Sequence, residues 1–109
     1  RDSGRSLQPE VVRERMFVLH IELAVRQGSQ SVLEKTFLEH FYPAVSAQNG
    51  FATAQLLRSN ENDTSYRLCL SFDKQASQQR WVATDLHQEV WPLVADLCES
   101  FSVAGYTSV

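Results

Sequence analysis

Glycine (4 residues), proline (3) and cysteine (2) are all scarce among the 109 residues of this chain. With 43% hydrophobic residues, that scarcity excludes a collagen-like or low-complexity chain and argues against disorder. Cys69 and Cys98 lack metal-ligand spacing and read as two buried thiols in a reducing compartment; two cysteines alone do not argue for a disulfide. No run approaches the ~18 apolar residues of a membrane span, so no membrane partner is expected. No leader sequence is visible, and the expected location is cytoplasmic. Charge of one sign is lacking too. Thirteen acidic and ten basic side chains leave a net charge of -3, with no basic footprint for a phosphate backbone. Nucleic acid is therefore not an expected partner. There is no glycine-rich phosphate loop, and Asn49-Gly50 is only a turn signal. His20, His40 and His87 have neither metalloprotease nor facial-triad spacing, so neither metal nor cofactor is expected.

The length is that of one domain. Residues 1–15 are polar, with Gly4, Pro9 and four arginines, and read as a flexible N-terminal extension to a domain over 16–109. Met16 to Val25 is the clearest strand. Phe17, Leu19, Ile21, Leu23 and Val25 share one face, while Val18, His20, Glu22 and Ala24 share the other. After Gln27-Gly28-Ser29, Ser29 or Ser31 can cap a helix, the latter in a capping box with Glu34. Leu33, Phe37, Phe41, Ala44 and Val45 recur at helical spacing. Pro43 kinks the last turn or begins a new one.

Phe51 to Arg58 and Ser65 to Phe72 form strands joined by the polar run SNENDT, and so an antiparallel hairpin. Lys74 to Ala83 reads as a short helix. Thr84 or Asp85 caps the next, with capping-box spacing from Asp85 to Gln88, and Pro92 demands a late start or a bend. Phe101 to Val109 reads as the last strand. The order strand, helix, strand, strand, helices, strand predicts an α+β fold, the ferredoxin-like split βαβ with helices on one face of a four-stranded antiparallel sheet. The other face mixes Val18, Ala24 and Cys69 with His20, Glu22 and Arg67. Covering it with a second copy predicts a homodimer, with His20, Glu22 and Arg67 at the interface.

The first strand ending in VRQG, the stretch FLEHFYPAVSAQNGFATAQLLRS, the strand YRLCLSF followed by Asp73, and the W…DLH stretch from Trp81 to His87 together resemble the antibiotic biosynthesis monooxygenase domain. The resemblance covers about Met16 to Tyr106. It implies a dimeric α/β barrel with a pocket in each subunit between sheet and helices. It also implies activities that range over cofactor-free oxygenation of aromatic polyketides and quinols, haem degradation and processing of a bacterial signalling molecule. Trp81 matches the helix tryptophan of the haem-degrading branch. Ile21 and Trp91 stand where that branch carries its asparagine and its haem-ligating histidine, so the likeness does not extend to haem chemistry. Phe72 stands where the family often has a tryptophan at the end of strand three.

His87 is the candidate catalytic residue, since an imidazole can take a proton from a phenol or hydroquinone near neutral pH. Trp81, Phe72, Ile21, Phe37 and Phe41 are the expected pocket lining for a small hydrophobic or aromatic molecule. Trp91, about 280° from Trp81 on an unbroken helix, is assigned to packing or dimer contact. The expected function is cofactor-independent monooxygenation of a small aromatic, quinol or enolisable compound. The alternatives are a non-catalytic small-molecule-binding or stress-related module of the same fold, and an isomerase-like enzyme using a single histidine.

Overall fold

A computed structural model describes residues 15–109 of the chain. Residues 1–14, nearly all of the proposed N-terminal extension, lie outside it. The elements are β1 (Phe17–Val25), α1 (Gln30–Thr36), a π-helical turn (Phe37–Phe41), α2 (Tyr42–Ser46), β2 (Phe51–Arg58), β3 (Ser65–Phe72), α3 (Gln75–Val82), α4 (Asp85–Ala95) and β4 (Cys98–Thr107). The strands form one antiparallel sheet in the order β2-β3-β1-β4, the ferredoxin-like arrangement expected from the element order.

Alternation sorts the side chains. Leu19, Leu70, Ala54 and Gly105 form one cross-strand rung of the inner face; Ile21, Leu68, Leu56 and Val103 form the next. The helices cover β1 and β3, whose inner residues are buried together with Leu33, Phe41, Val45, Val90 and Val94. Removing each such side chain from water contributes about 1.5–3 kcal/mol. The helices do not cover β4. Phe101 and Val103 lie on its inner side, yet they remain 48% and 55% exposed. That uncovered strip beside β1 is where the candidate site opens.

Several helix ends depart from the sequence expectations, while at α4 one of the two expected caps is used. Ser29 stands before α1 without a side-chain cap bond. The Ser31–Glu34 box does not form, because the Glu34 carboxylate accepts from the Tyr66 hydroxyl (2.5 Å) and pairs with Arg58 (2.8 Å). Those partners offer a charge-assisted bond that an exposed N-terminal amide does not match. Thr84, not Asp85, caps α4, its Oγ1 accepting from the His87 amide at 3.1 Å. The Asp85–Gln88 box is unformed because the Gln88 amide turns back to the Val82 carbonyl, 3.1 Å away. The late start expected from Pro92 does not occur: α4 begins at Asp85 and runs through the proline to Ala95. Buried Val90 and Val94 anchor the helix on both sides of the proline, and the Asp96 amide bonds to the Pro92 carbonyl at 2.9 Å.

Pro43 lies at the start of α2, directly after the π-helical turn in which the Tyr42 amide reaches the Phe37 carbonyl. A proline needs the backbone ahead of it widened, because its ring meets the carbonyl four residues earlier. The wider turn still holds Phe37 and Phe41 in the core. Gly50, at φ +85°, turns the chain into β2, and its carbonyl accepts from the Asp73 amide at 2.7 Å. That bond ties the start of β2 to the approach to α3.

Candidate functional site

Trp81 occupies the last turn of α3 and is 2% exposed. The Thr84 hydroxyl donates to the Trp81 carbonyl (2.7 Å) while accepting from the His87 amide (3.1 Å). One side chain thus closes α3 and opens α4, and the turn swings the first face of α4 toward Trp81. The rings of His87 and Trp81 meet edge to face, with centroids 5.1 Å apart and planes at 84°. Trp91 is four residues after His87, hence on the same helix face. Its ring stands edge-on to Phe41 at 6.5 Å and to Phe101 at 5.1 Å.

These groups enclose a cavity of about 150 Å³. Its floor is Leu19, Ile21 and Leu70 of the sheet, and Phe41 closes one end. Trp81, Val82, His87 and Trp91 form the helical wall; Phe101 and Val103 form the lip on β4. The lining is mostly apolar. Its polar contributions come from Gln78 and His87. Wider surface depressions, such as those beside Glu22 and Arg67 or beside Gln75 and Thr107, are more polar and more open.

His87 is half-buried, and loss of hydration holds its imidazole below the usual pKa, so the ring is neutral at pH 7. Its Nδ1 lies 3.3 Å from the Gln88 side-chain nitrogen. Among the described residues, no group of three or more His, Cys, Asp or Glu side chains is placed to hold a metal ion.

All five expected lining residues lie on the inner face or its helices, but of them only Trp81, Ile21 and Phe41 line the cavity. Phe72 is fully buried at the C-terminal end of β3, edge-on to Phe51 with centroids 6.1 Å apart. Phe37 sits one turn before Phe41 and packs on Tyr42 at 6.0 Å. A shared face is not a shared lining: the cavity floor is Leu19, Ile21 and Leu70, and the cavity opens toward β4. Trp91, expected in packing or a dimer contact, packs on Phe41 and Phe101 and also lines the cavity, because the turn at Thr84 breaks the helical phase that separated it from Trp81. The lining residues missed from sequence had usable signals: Leu19, Leu70, Phe101 and Val103 by strand parity with Ile21, and Trp91 by its spacing from His87. Gln78 carried none.

On the opposite face, Glu22 and Arg67 form an ion pair across β1 and β3, and the rings of His20 and Tyr106 lie 4.9 Å apart. His40 is exposed. Tyr66 is buried, its hydroxyl committed to Glu34. Cys69 and Cys98 are free thiols, and burial raises the pKa of both.

The architecture recurs in solved structures. SnoaB, a cofactor-independent oxygenase from Streptomyces nogalater, superposes with a TM-score of 0.76 at 18% identity, over 89% of this chain and 95% of that one. A Bordetella bronchiseptica protein provisionally named an antibiotic biosynthesis monooxygenase gives 0.79 at 19% identity, covering 86% and 97%. A conserved protein from Methanosarcina mazei Go1 gives 0.78 at 10% identity, covering 88% and 95%. At these identities the likeness establishes the fold. No curated protein matches the chain in sequence. The family model for antibiotic biosynthesis monooxygenases matches residues 16–91, from the first strand through Trp81 and His87 to Trp91. With well over half of its length matched and the same sheet and helix order in its structural neighbours, the chain belongs to the antibiotic biosynthesis monooxygenase family.

Proposed function

We propose that the cavity beside Trp81 and His87 is the site of a cofactor-independent monooxygenation of a small electron-rich ring compound, carried out by a homodimer. The observation that carries this reading is a largely apolar cavity joined to one neutral imidazole. A cavity on the order of 150 Å³ holds one benzene-sized ring, so single-ring hydroquinones suit it better than fused tricyclic anthrones. The substrate itself supplies the electrons: a hydroquinone and O₂ give a hydroxyquinone and water, with all four electrons drawn from the ring. The protein's part is to hold the ring between Trp81 and Trp91, exclude water and meet the ring oxygen with the His87 imidazole. SnoaB shares this fold and is a cofactor-independent oxygenase, which supports the reading.

The dimer would close over the outer face of the sheet, where Val18, Ala24, Ala104 and Tyr106 are partly or fully open to solvent. The Glu22–Arg67 pair and the His20–Tyr106 contact sit on that face as polar groups for an interface.

Oxygen uptake and product analysis with a panel of hydroquinones and anthrones test the reaction. Turnover of the single-ring members that falls at least tenfold in His87→Ala supports it. No turnover by any member sinks it. A non-catalytic binding module of the same fold is the second reading. It is favoured by the cavity's having His87 as its single titratable lining group. Tight binding of ring compounds without oxygen uptake identifies that case.

A further inference from the structure

The side chain of Gln88 bridges the Val82 carbonyl and the ring of His87. Its Nε2 lies 3.1 Å from the Val82 carbonyl and 3.3 Å from His87 Nδ1. The carbonyl can only accept, so the Gln88 group facing it is the NH₂; the reverse amide orientation would set oxygen against oxygen. An amide NH₂ has no lone pair to offer, so Nδ1 must be the acceptor in the second contact. A neutral imidazole that accepts at Nδ1 carries its single proton at Nε2. Among the described residues no hydrogen bond engages Nε2, which leaves that N–H for a bound molecule.

We infer that Gln88 is a positioning residue that holds His87 in the Nε2–H tautomer, so that the cavity meets its occupant with a hydrogen-bond donor. The preferred occupant is then a single ring bearing an acceptor oxygen, the carbonyl of a quinone or ketone or the oxyanion of an ionised phenol. This deepens the proposed function and rests on its placing of the site. It assigns His87 to holding the substrate's oxygen rather than to taking a proton from it. A lone pair at Nε2 would need the proton at Nδ1, where it would face the donors of Gln88. An imidazolium would set a donor against a donor at Nδ1 as well, and burial independently holds the ring neutral. Exposed Gln88 and half-buried His87 are neighbours on the first turns of α4, so Gln88 can be changed without cutting into the core.

The test uses the whole chain with ¹⁵N-labelled histidine. Long-range ¹H–¹⁵N correlation spectra at neutral pH read the tautomer directly. The wild type is expected to show Nε2 protonated. Gln88→Ala is expected to give a mixture of tautomers. Gln88→Glu, whose carboxylate can only accept, is expected to move the proton to Nδ1 and to raise the ring's pKa. An Nδ1–H ring in the wild type, or the same tautomer in all three proteins, overturns the inference.

Acetophenone and α-methylstyrene, nearly identical in shape with only the first bearing an acceptor oxygen, serve as calorimetric probes. Acetophenone is expected to bind the wild type about fivefold more tightly, the worth of one hydrogen bond. Gln88→Glu is expected to lose that preference. Equal binding of both probes by the wild type overturns the donor role. Binding of neither overturns the placing of the site and the choice of occupant with it, while the spectra decide the role of Gln88 by themselves.

Discussion

The imidazole of His87 stands edge-on to the indole of Trp81, with centroids 5.1 Å apart and planes at 84°. The two residues are six apart in sequence and belong to different helices. What joins them is Thr84, whose hydroxyl donates to one backbone and accepts from the other. The geometry of the cavity wall therefore depends on a single capping side chain.

Thr84→Ala removes that cap. The expected loss is about 1 kcal/mol of stability, with Thr84→Ser retaining most of it. Urea unfolding at unchanged m-value measures the difference. Equal midpoints for the alanine and wild-type proteins would show that the hydroxyl does not hold the turn.

His87 titrates below its usual value of ~6.5 because burial disfavours the charged ring. In the window between the lowered folded value and the unfolded one, the unfolded chain binds the extra proton. The stability contributed by neutral His87 is thus fully present above pH ~6.5 and is lost as pH falls through the folded value. His87→Gln is expected to flatten that part of the stability–pH curve. A wild-type ring titrating above ~6.5 by NMR contradicts the assignment.

Gly28 and Gly50 both have positive φ, +93° and +85°, but differ in their surroundings. A Cβ at Gly28 meets nothing within 4 Å, whereas one at Gly50 overlaps the Ser77 hydroxyl and the Asp73 carboxylate. Gly28→Ala is expected to cost about 1–2 kcal/mol for the backbone alone. Gly50→Ala adds an overpacking cost of about 1–3 kcal/mol. Thermal melts that rank the two variants equally would refute the difference.

Trp91 fills the space between Phe41 and Phe101. Trp91→Ala should widen the cavity and admit a two-ring ligand. Because Trp91 is only half-buried, the stability loss should stay below the ~3–5 kcal/mol of a fully buried tryptophan. Calorimetry with 1-acetonaphthone checks the first point, and binding no tighter than to the wild type would count against it.

The proposed dimer places Ala104, exposed on the outer side of β4, within an interface. Ala104→Glu would bury a charge there and is expected to yield a monomer by light scattering at micromolar concentration. A wild-type protein that is itself monomeric at that concentration removes the proposal.

The sheet was legible because its signals are local. Period-two alternation in Met16–Val25 and in SYRLCLSF reports which side chains must leave water, and the polar run SNENDT reports a short connection. The strand bounds Phe51–Arg58 and Ser65–Phe72 follow from these alone. The helix ends were less legible, since a cap is a competition between partners. Glu34 has spacing suited to its own helix, but Tyr66 and Arg58 reach it across space. Pro92 by itself suggests a late start or a bend, but buried Val90 and Val94 hold the helix from outside and its start stays at Asp85.

Of the opening inventory, the scarcity of glycine, proline and cysteine and the alternation of apolar residues determined a packed α+β sheet with helices on one side, because burial and backbone sterics act within a few residues. Trp81 and His87 were nominated by the resemblance to the family and by the chemistry of indole and imidazole. Only the tertiary structure decided that these two meet, that Trp91 joins them while Phe37 and Phe72 do not, and that the cavity opens along β4. The cause is the turn at Thr84 that sets α4 against α3 and the way the helices leave one edge of the sheet uncovered. The uncovered edge arises from packing between elements far apart in the chain, which no spacing along the chain encodes.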